Sequence, residues 1–325
     1  MNHDERLRKA DIEKRLMEGK DASNLVSIDE FCWLLQLNGG LHNHGYFHYT
    51  TWGRLQKMLT EVDVGENTKK RLFLMSASSS LNDTKEKRDG FYVASFSFGS
   101  EEEVSMWTNY GVPKREAIRI KFPMKAMTRW YRENTIDRIT IYVPVKGEDC
   151  QFRALDVRPT KIYFADVAYY AGNEPLHGTS RDAVHYNGKK YSFKEEKWRE
   201  HIQRTNDALL FKKRGWAYER EVRLVVQFDD AAKMQNYTQI AIPFDSIYDA
   251  MLDAQNNNGS SVMLGPWCGL DGSKSHAIKG LKEPSLRSSF KGELRMRSNC
   301  DLCEYRQNQN QEKCTCPNAE WKLWR

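Results

Sequence analysis

Glu219, Glu221 and Arg223 stand at alternate positions in the segment Trp216-Ala-Tyr-Glu-Arg-Glu-Val-Arg-Leu-Val-Val226. Its composition is that of a strand, and alternate side chains on a strand share a face. On that reading the two carboxylates and the guanidinium point one way, while Val222, Leu224 and Val226 point into the core. Adjacent carboxylates repel, so one of them can titrate upward, and the pair suits a site that holds a hydroxyl and stabilises a developing cation. The plainer reading is the wet face of an edge strand, with Arg223 neutralising a glutamate.

Four other segments carry chemistry. In Tyr46-Phe-His48-Tyr49-Thr50-Thr51 a strand histidine is followed by small hydroxyl residues that start a helix. Imidazole, hydroxyls and free helix N–H groups together can cradle a ribose hydroxyl or a carboxamide. A hydrogen-bonded structural histidine is the bland alternative. In Ala94-Ser95-Phe96-Ser97-Phe98 the two serines share one strand face and the two phenylalanines the other. Trp107 and Tyr110 lie three apart on a helix and can flank one site, or simply pack in a core. Leu81-Asn82-Asp83 is a polar stop that otherwise reads as an Asx-type turn.

These residues need a scaffold. The spacing predicts helices over residues 4–20, 28–37, 52–60, 101–110, 194–212 and 245–255. Ser27 with Glu30 forms a capping box for the second, which ends at Gly39-Gly40. Strands are expected at 46–50, 71–76, 91–98, 118–122, 139–143, 161–167, 218–228, 239–243 and 262–264. They do not alternate regularly with helices, which argues for an α+β fold with largely antiparallel pairing. We divide the chain into an N-terminal helical segment (1–40), an α+β domain (41–285) and a basic, cysteine-bearing tail (286–325).

Across 325 residues, 40% are hydrophobic and 29% charged, which excludes a disordered chain. No apolar run approaches the ~20 residues of a spanning helix. The charged N-terminus has no signal-like apolar stretch, so a cytoplasmic, membrane-free protein is expected. Residues 273–325 hold eleven Lys or Arg against six Asp or Glu, which places most of the +6 net charge there. Cys300, Cys303, Cys314 and Cys316 cluster in the same tail, and a cluster in a reducing compartment suggests zinc before disulfides.

Taken in order, His48-Tyr-Thr, Leu81-Asn-Asp with Glu86, Ser95-Phe-Ser, Met106-Trp-x2-Tyr110 and Trp216-x-Tyr-Glu-x-Glu-x-Arg223 form a pattern. It resembles a bacterial family catalogued as a domain of unknown function and common near phage-defence genes. The resemblance covers roughly residues 46–269, with Ile240–Pro243 and Met263-Leu-Gly-Pro266 also fitting. That pattern is in turn similar to the ADP-ribosyltransferase superfamily, and its opening is like that of nucleic-acid-modifying toxins.

The resemblance implies a split, largely antiparallel sheet with flanking helices and NAD as co-substrate. It implies that His48 holds a ribose, that Ser95 and Ser97 or Tyr110 supply a second element, and that Glu219-Arg-Glu221 is the third. Glu221 would bind the ribose 2′-hydroxyl and stabilise the oxocarbenium-like state, and Glu219 would orient or deprotonate the acceptor. Tyr49, Trp107 or Tyr110 would stack on nicotinamide. Thr50, Asn82 and Arg223 would complete the cofactor site.

Arg287, Lys291, Arg295 and Arg297 favour a nucleic-acid acceptor, RNA over DNA. The resemblance further implies a toxin or phage-defence effector restrained by an antitoxin or other regulatory protein. Two other readings stand beside it. One is a non-catalytic module binding nucleic acid or an antitoxin. The other is a metal-dependent nuclease using Asn82, Asp83, Glu86 and the glutamate pair.

Overall fold

The computed structural model describes residues 3–18, 26–40, 42, 45–80, 88–99, 101–111, 114–145, 151–170, 184–194, 198–268, 278, 280–291, 295–298 and 321–324. It is a mixed α+β protein whose sheets are mostly antiparallel. The chain divides into two compact units. The first comprises Met1–His48, Gln56–Glu101 and Lys121–Asp253. The second comprises Tyr49–Leu55, Glu102–Ile120 and Ala254–Arg325. The division at residue 40 expected from sequence is therefore not where the chain separates. Ile12, Phe31 and Leu35 of the N-terminal helices lie in one buried cluster with Tyr186, Phe193, Trp198 and Phe211.

In the first unit, the central strand Phe91–Ser97 pairs along its whole length with Glu221–Gln227, and that strand pairs in turn with Lys161–Asp166. The other edge of Phe91–Ser97 is shared. Phe47 pairs with Ser97 at one end, and Leu72–Ala77 pairs at Val93 and Tyr92 toward the other. The sheet thus forks around Ser95. Beyond Leu72–Ala77 follow Gln239–Pro243, Tyr142–Pro144 and Phe152–Ala154. A smaller sheet orders Lys189–Tyr191, Val184–Tyr186, Ala168–Tyr170 and Phe211–Lys213, the last pair parallel. Val167 alone separates Lys161–Asp166 in the first sheet from Ala168–Tyr170 in the second.

The helix Ile28–Gly39 has the expected capping box, with Ser27 and Glu30 bonded reciprocally. Its last residue presses on the strand Lys161–Asp166. A Cβ at Gly39 would lie 2.5 Å from backbone atoms of Ala165, so only glycine allows this approach.

Several elements differ from the sequence reading. The helix expected over 194–212 is present only as Trp198–Arg204, followed by the 3-10 turn Asn206–Leu210 and the strand Phe211–Lys213. Ala208, Leu209, Leu210 and Phe211 are consecutive and all buried, a pattern no amphipathic helix can satisfy. The helix Met124–Glu133, absent from the sequence reading, packs Met127 and Trp130 inward.

In the second unit, Val262–Leu264 pairs antiparallel with Ile118–Ile120 and parallel with Leu286–Arg287. Arg295–Ser298 and Trp321–Trp324 form a two-stranded ladder. Among the described residues no helix is long and apolar enough to cross a membrane.

Candidate functional site

Glu219 and Glu221 do not share a strand. The strand begins at Glu221, and Arg214–Glu219 is a 3-10 helix. Between them Arg220 adopts a left-handed conformation, φ 42° and ψ 55°, uncommon for a side chain with a Cβ. Its guanidinium is held by Glu101 at 2.7 Å. The turn breaks strand alternation, yet the two carboxylates still converge, because one lysine binds both. Lys212 Nζ lies 2.6 Å from Glu219 Oε2 and 3.0 Å from Glu221 Oε2. Its ammonium also sits 5.2 Å from the centroid of the Trp216 ring.

Register explains the rest of the cluster. Directly opposed residues in an antiparallel pair present their side chains on the same face. Glu221 opposes Ser97 and Arg223 opposes Ser95, so all four share one face. Ser95 Oγ donates to Glu221 Oε1 at 2.5 Å. Arg223 grips the same carboxylate through Nε to Oε1 at 2.7 Å and Nη2 to Oε2 at 3.1 Å, and donates through Nη1 to the Leu209 carbonyl at 2.5 Å. The Glu221 amide donates to the Tyr169 hydroxyl at 2.9 Å, and its carbonyl accepts from Val167 N at 2.9 Å.

Glu219, Glu221 and Arg223 are each no more than 3% exposed. Two carboxylates and two cations therefore form a charge-balanced group away from water, which is what buried charge requires. Burial by itself pushes the Glu221 carboxyl up. The charges of Arg223 and Lys212, with hydrogen bonds from Arg223 and Ser95, outweigh it and hold Glu221 below the ordinary carboxylate range. The expectation of an upward-shifted carboxylate is thus not met at Glu221. One atom of this face is left over: the Ser97 hydroxyl is buried and, among the described residues, has no hydrogen-bond partner. It faces the same way as Glu221 and fits a ligand hydroxyl.

His48 is not part of this group. Phe47 opposes Ser97, so Phe47 takes the face of the serines and glutamate, and His48 takes the other. There its ring contacts Phe73 and Phe96, with centroids 5.6 and 6.0 Å away. Its Nδ1 lies 3.3 Å from the Ser95 carbonyl oxygen, in the fork where neither the Phe47 strand nor Leu72–Ala77 pairs with that residue. The expectation that His48 and Glu221 line one groove is corrected: the imidazole satisfies a backbone group at the split of the sheet.

Tyr49, Thr50, Trp107 and Tyr110 belong to the second unit. Trp107 is fully buried, edge-on to Tyr49 at 4.8 Å, and its indole N–H donates to Glu102 at 3.1 Å. Tyr49 is 6% exposed and neighbours Arg119. Both are packed as core aromatics, which corrects their expected role as nicotinamide platforms. Tyr110 is 39% exposed. Thr50 is fully buried, and among the described residues its hydroxyl has no hydrogen-bond partner. Asn82, Asp83 and Glu86, with Cys300, Cys303, Cys314 and Cys316, lie outside the described residues. Among the described residues there is no metal-ligating cluster of His, Cys, Asp or Glu.

The sequence reading missed Lys212, which it placed in a helix, and Tyr169. It also missed a second polar chain. His42 Nε2 lies 2.5 Å from Asp166 Oδ1, and Tyr186 donates to Asp166 Oδ2 at 2.6 Å while accepting from Asn38 at 3.0 Å. The His42 ring stacks on Phe98 at 4.1 Å. His42 and Asp166 are 124 residues apart, so no local pattern joins them.

Comparison of the chain with protein-family models, with curated proteins and with solved structures returns no match.

Proposed function

We propose that the protein transfers ADP-ribose from NAD to a nucleic-acid acceptor, with Glu221 as the essential carboxylate and Ser97 as a ligand-binding hydroxyl. The observation that carries this reading is the antiparallel pairing of the Ser-x-Ser strand with the Glu221 strand. It puts Ser95 on the carboxylate and leaves Ser97 buried beside it with an unused hydroxyl. In this reaction the bond from ribose C1′ to the nicotinamide nitrogen breaks and nicotinamide leaves with its electron pair. A nucleophile of the acceptor then bonds to C1′ and loses a proton. Glu221, kept ionised by Arg223 and Lys212, stabilises the cationic sugar between these events. Substrate reaches the carboxylate by displacing Lys212, the most exposed member of the ion group at 11%. His48 has no part in this version of the site.

One observation favours a second reading. Glu221 is saturated by three side-chain partners and 3% exposed, as in an ion-pair core that only holds a binding module together. The two are separated by incubating the protein with nicotinamide-labelled and adenylate-labelled NAD plus RNA, DNA and protein pools. The transferase reading expects nicotinamide release and label in one nucleic-acid pool. It expects Ser97→Ala to lower the rate roughly tenfold, the worth of one hydrogen bond, without loss of stability. Absence of release with every pool would leave the binding module standing, and release indifferent to both Ser97→Ala and a folded Glu221→Gln would overturn this assignment of the site.

A further inference from the structure

The helix Met124–Glu133 presents a row of cations that the site above does not use. Lys125, Arg129 and Arg132 recur at i, i+4 and i+7 and are all exposed. At ~1.5 Å rise per residue, their attachment points span about 10 Å along one stripe. With Met124, Thr128 and Glu133 they line a hollow of about 440 Å³.

A solvated helix face ordinarily mixes its signs so that i,i+4 pairs form. Here the single carboxylate, Glu133, stands 3.9 Å from Arg129, in the less favourable order with the cation N-terminal. Among the described residues Lys125 and Arg132 have no ion pair, so their charge faces solvent.

The stripe is also rigidly mounted. Met127 and Trp130 on the opposite face are 0% and 2% exposed. The Trp130 indole donates to the Pro243 carbonyl at 2.8 Å, and the Tyr131 hydroxyl donates to the Ile162 carbonyl at 3.3 Å. A membrane-surface helix would need that apolar face free to enter lipid, and it is committed to the core. A regularly repeating anion needs only what is offered: a fixed, open row of long cationic side chains, two of them guanidiniums suited to phosphate.

We infer that Met124–Glu133 is a docking helix for the phosphate backbone of a nucleic-acid strand, contacting it through Lys125, Arg129 and Arg132. The inference names a surface for the acceptor class of the proposed reaction, but binding stands without that reaction and is measured without NAD.

The test uses the full chain and a fluorescent 20-nucleotide strand, as RNA and as DNA, with anisotropy read from 50 to 200 mM NaCl. Each phosphate contact on a single strand contributes a salt slope of about 0.7, so K125Q/R129Q/R132Q should lower the slope by about two units. Affinity at the low-salt end should fall at least tenfold. An unchanged thermal midpoint checks that these exposed substitutions leave the fold intact. K189Q/K190Q, exposed on the strand Lys189–Tyr191, should keep the slope. The inference is overturned if the wild-type protein binds neither strand at 50 mM NaCl. It is equally overturned if the helix variant keeps the wild-type slope, or if only phosphatidylserine vesicles bind. Retention of nucleotide binding by Ser97→Ala, whatever that variant does to NAD, separates this result from the fate of the transferase reading.

Discussion

Arg223 and Glu221, two residues apart on one strand, face the same way and are joined by two hydrogen bonds of 2.7 and 3.1 Å, with 1% and 3% of their surfaces exposed. In water such a pair adds little, but inside the protein each charge is costly without the other. Removing one side leaves the buried group with an unbalanced charge, even though Lys212 and Ser95 still bind Glu221. Glu221→Gln and Arg223→Met should each cost about 3 kcal/mol in urea unfolding, by the usual penalty for a buried unpaired charge. The double variant should recover a large part of that sum, since its two losses share one cause. Additive losses would show that the pair is not the unit holding the site.

Ser95 and Ser97 look equivalent in sequence but should behave oppositely. The Ser95 hydroxyl satisfies Glu221, so Ser95→Ala should cost about 1.5 kcal/mol, the range for a hydrogen bond to a charged group. Ser97→Ala deletes a buried hydroxyl that has no hydrogen-bond partner among the described residues, so stability should hold or rise slightly. Thermal unfolding of the two single variants compares them directly. Equal losses would contradict the difference in their partners.

Acid should unfold the protein through its depressed carboxylates. Glu221 titrates below its ordinary 4.5 in the folded state, and Glu30 is lowered to about 2, chiefly by its hydrogen bond from Arg15. A carboxylate depressed on folding gives stability that is complete above the unfolded value and is lost as pH falls toward the folded one. The urea midpoint should therefore stay level from pH 7 to about 5 and drop below about 4.5. Arg15→Gln should make the drop shallower by removing the larger cause at Glu30. A midpoint that rises on acidification would reverse the sign of this account.

Gly39→Ala adds one methyl group, directed at the backbone of Ala165 only 2.5 Å away. Backbone cannot turn aside as a side-chain tip can, so the helix must lift from the strand. A loss of about 2–3 kcal/mol is expected, in the upper range for overpacking. Gly40→Ala, where nothing lies within 4 Å, is the matched control and should change little. Equal melting temperatures for the two variants would mean the approach is looser than described.

His48→Gln should leave nicotinamide release unchanged if that activity is found. The ring lies on the far face from Glu221, with Nδ1 at the Ser95 carbonyl in the fork. A rate loss comparable to that of Glu221→Gln would return His48 to the catalytic group.

Local patterns were readable before the fold was. Ser27 and Glu30 are three residues apart, so their capping box could be seen directly, as could the apolar strands around Leu224 and Phe96. The grouping of Glu221 with Ser95, Ser97 and Arg223 followed from alternation plus the resemblance, and the register brings those four together. What failed was long-range or depended on one backbone angle. Arg220 in a left-handed conformation ends the strand earlier than composition suggests. His48 was placed by its neighbours in sequence, although the pairing of Phe47 with Ser97 decides which face it takes. Lys212 was hidden because Phe211–Lys213 is short and its strand partner, Ala168–Tyr170, lies more than forty residues away.

The Glu221 peptide offers a built-in clock. Its N–H is tied not to another strand but to the Tyr169 phenol, and Tyr169 belongs to the second sheet. Any excursion that swings that sheet outward to admit a substrate must release this one amide, while the ladder hydrogen bonds of Leu224 and Val226 stay closed. Deuterium uptake at Glu221, out of step with the rest of its strand, would count how often the door opens.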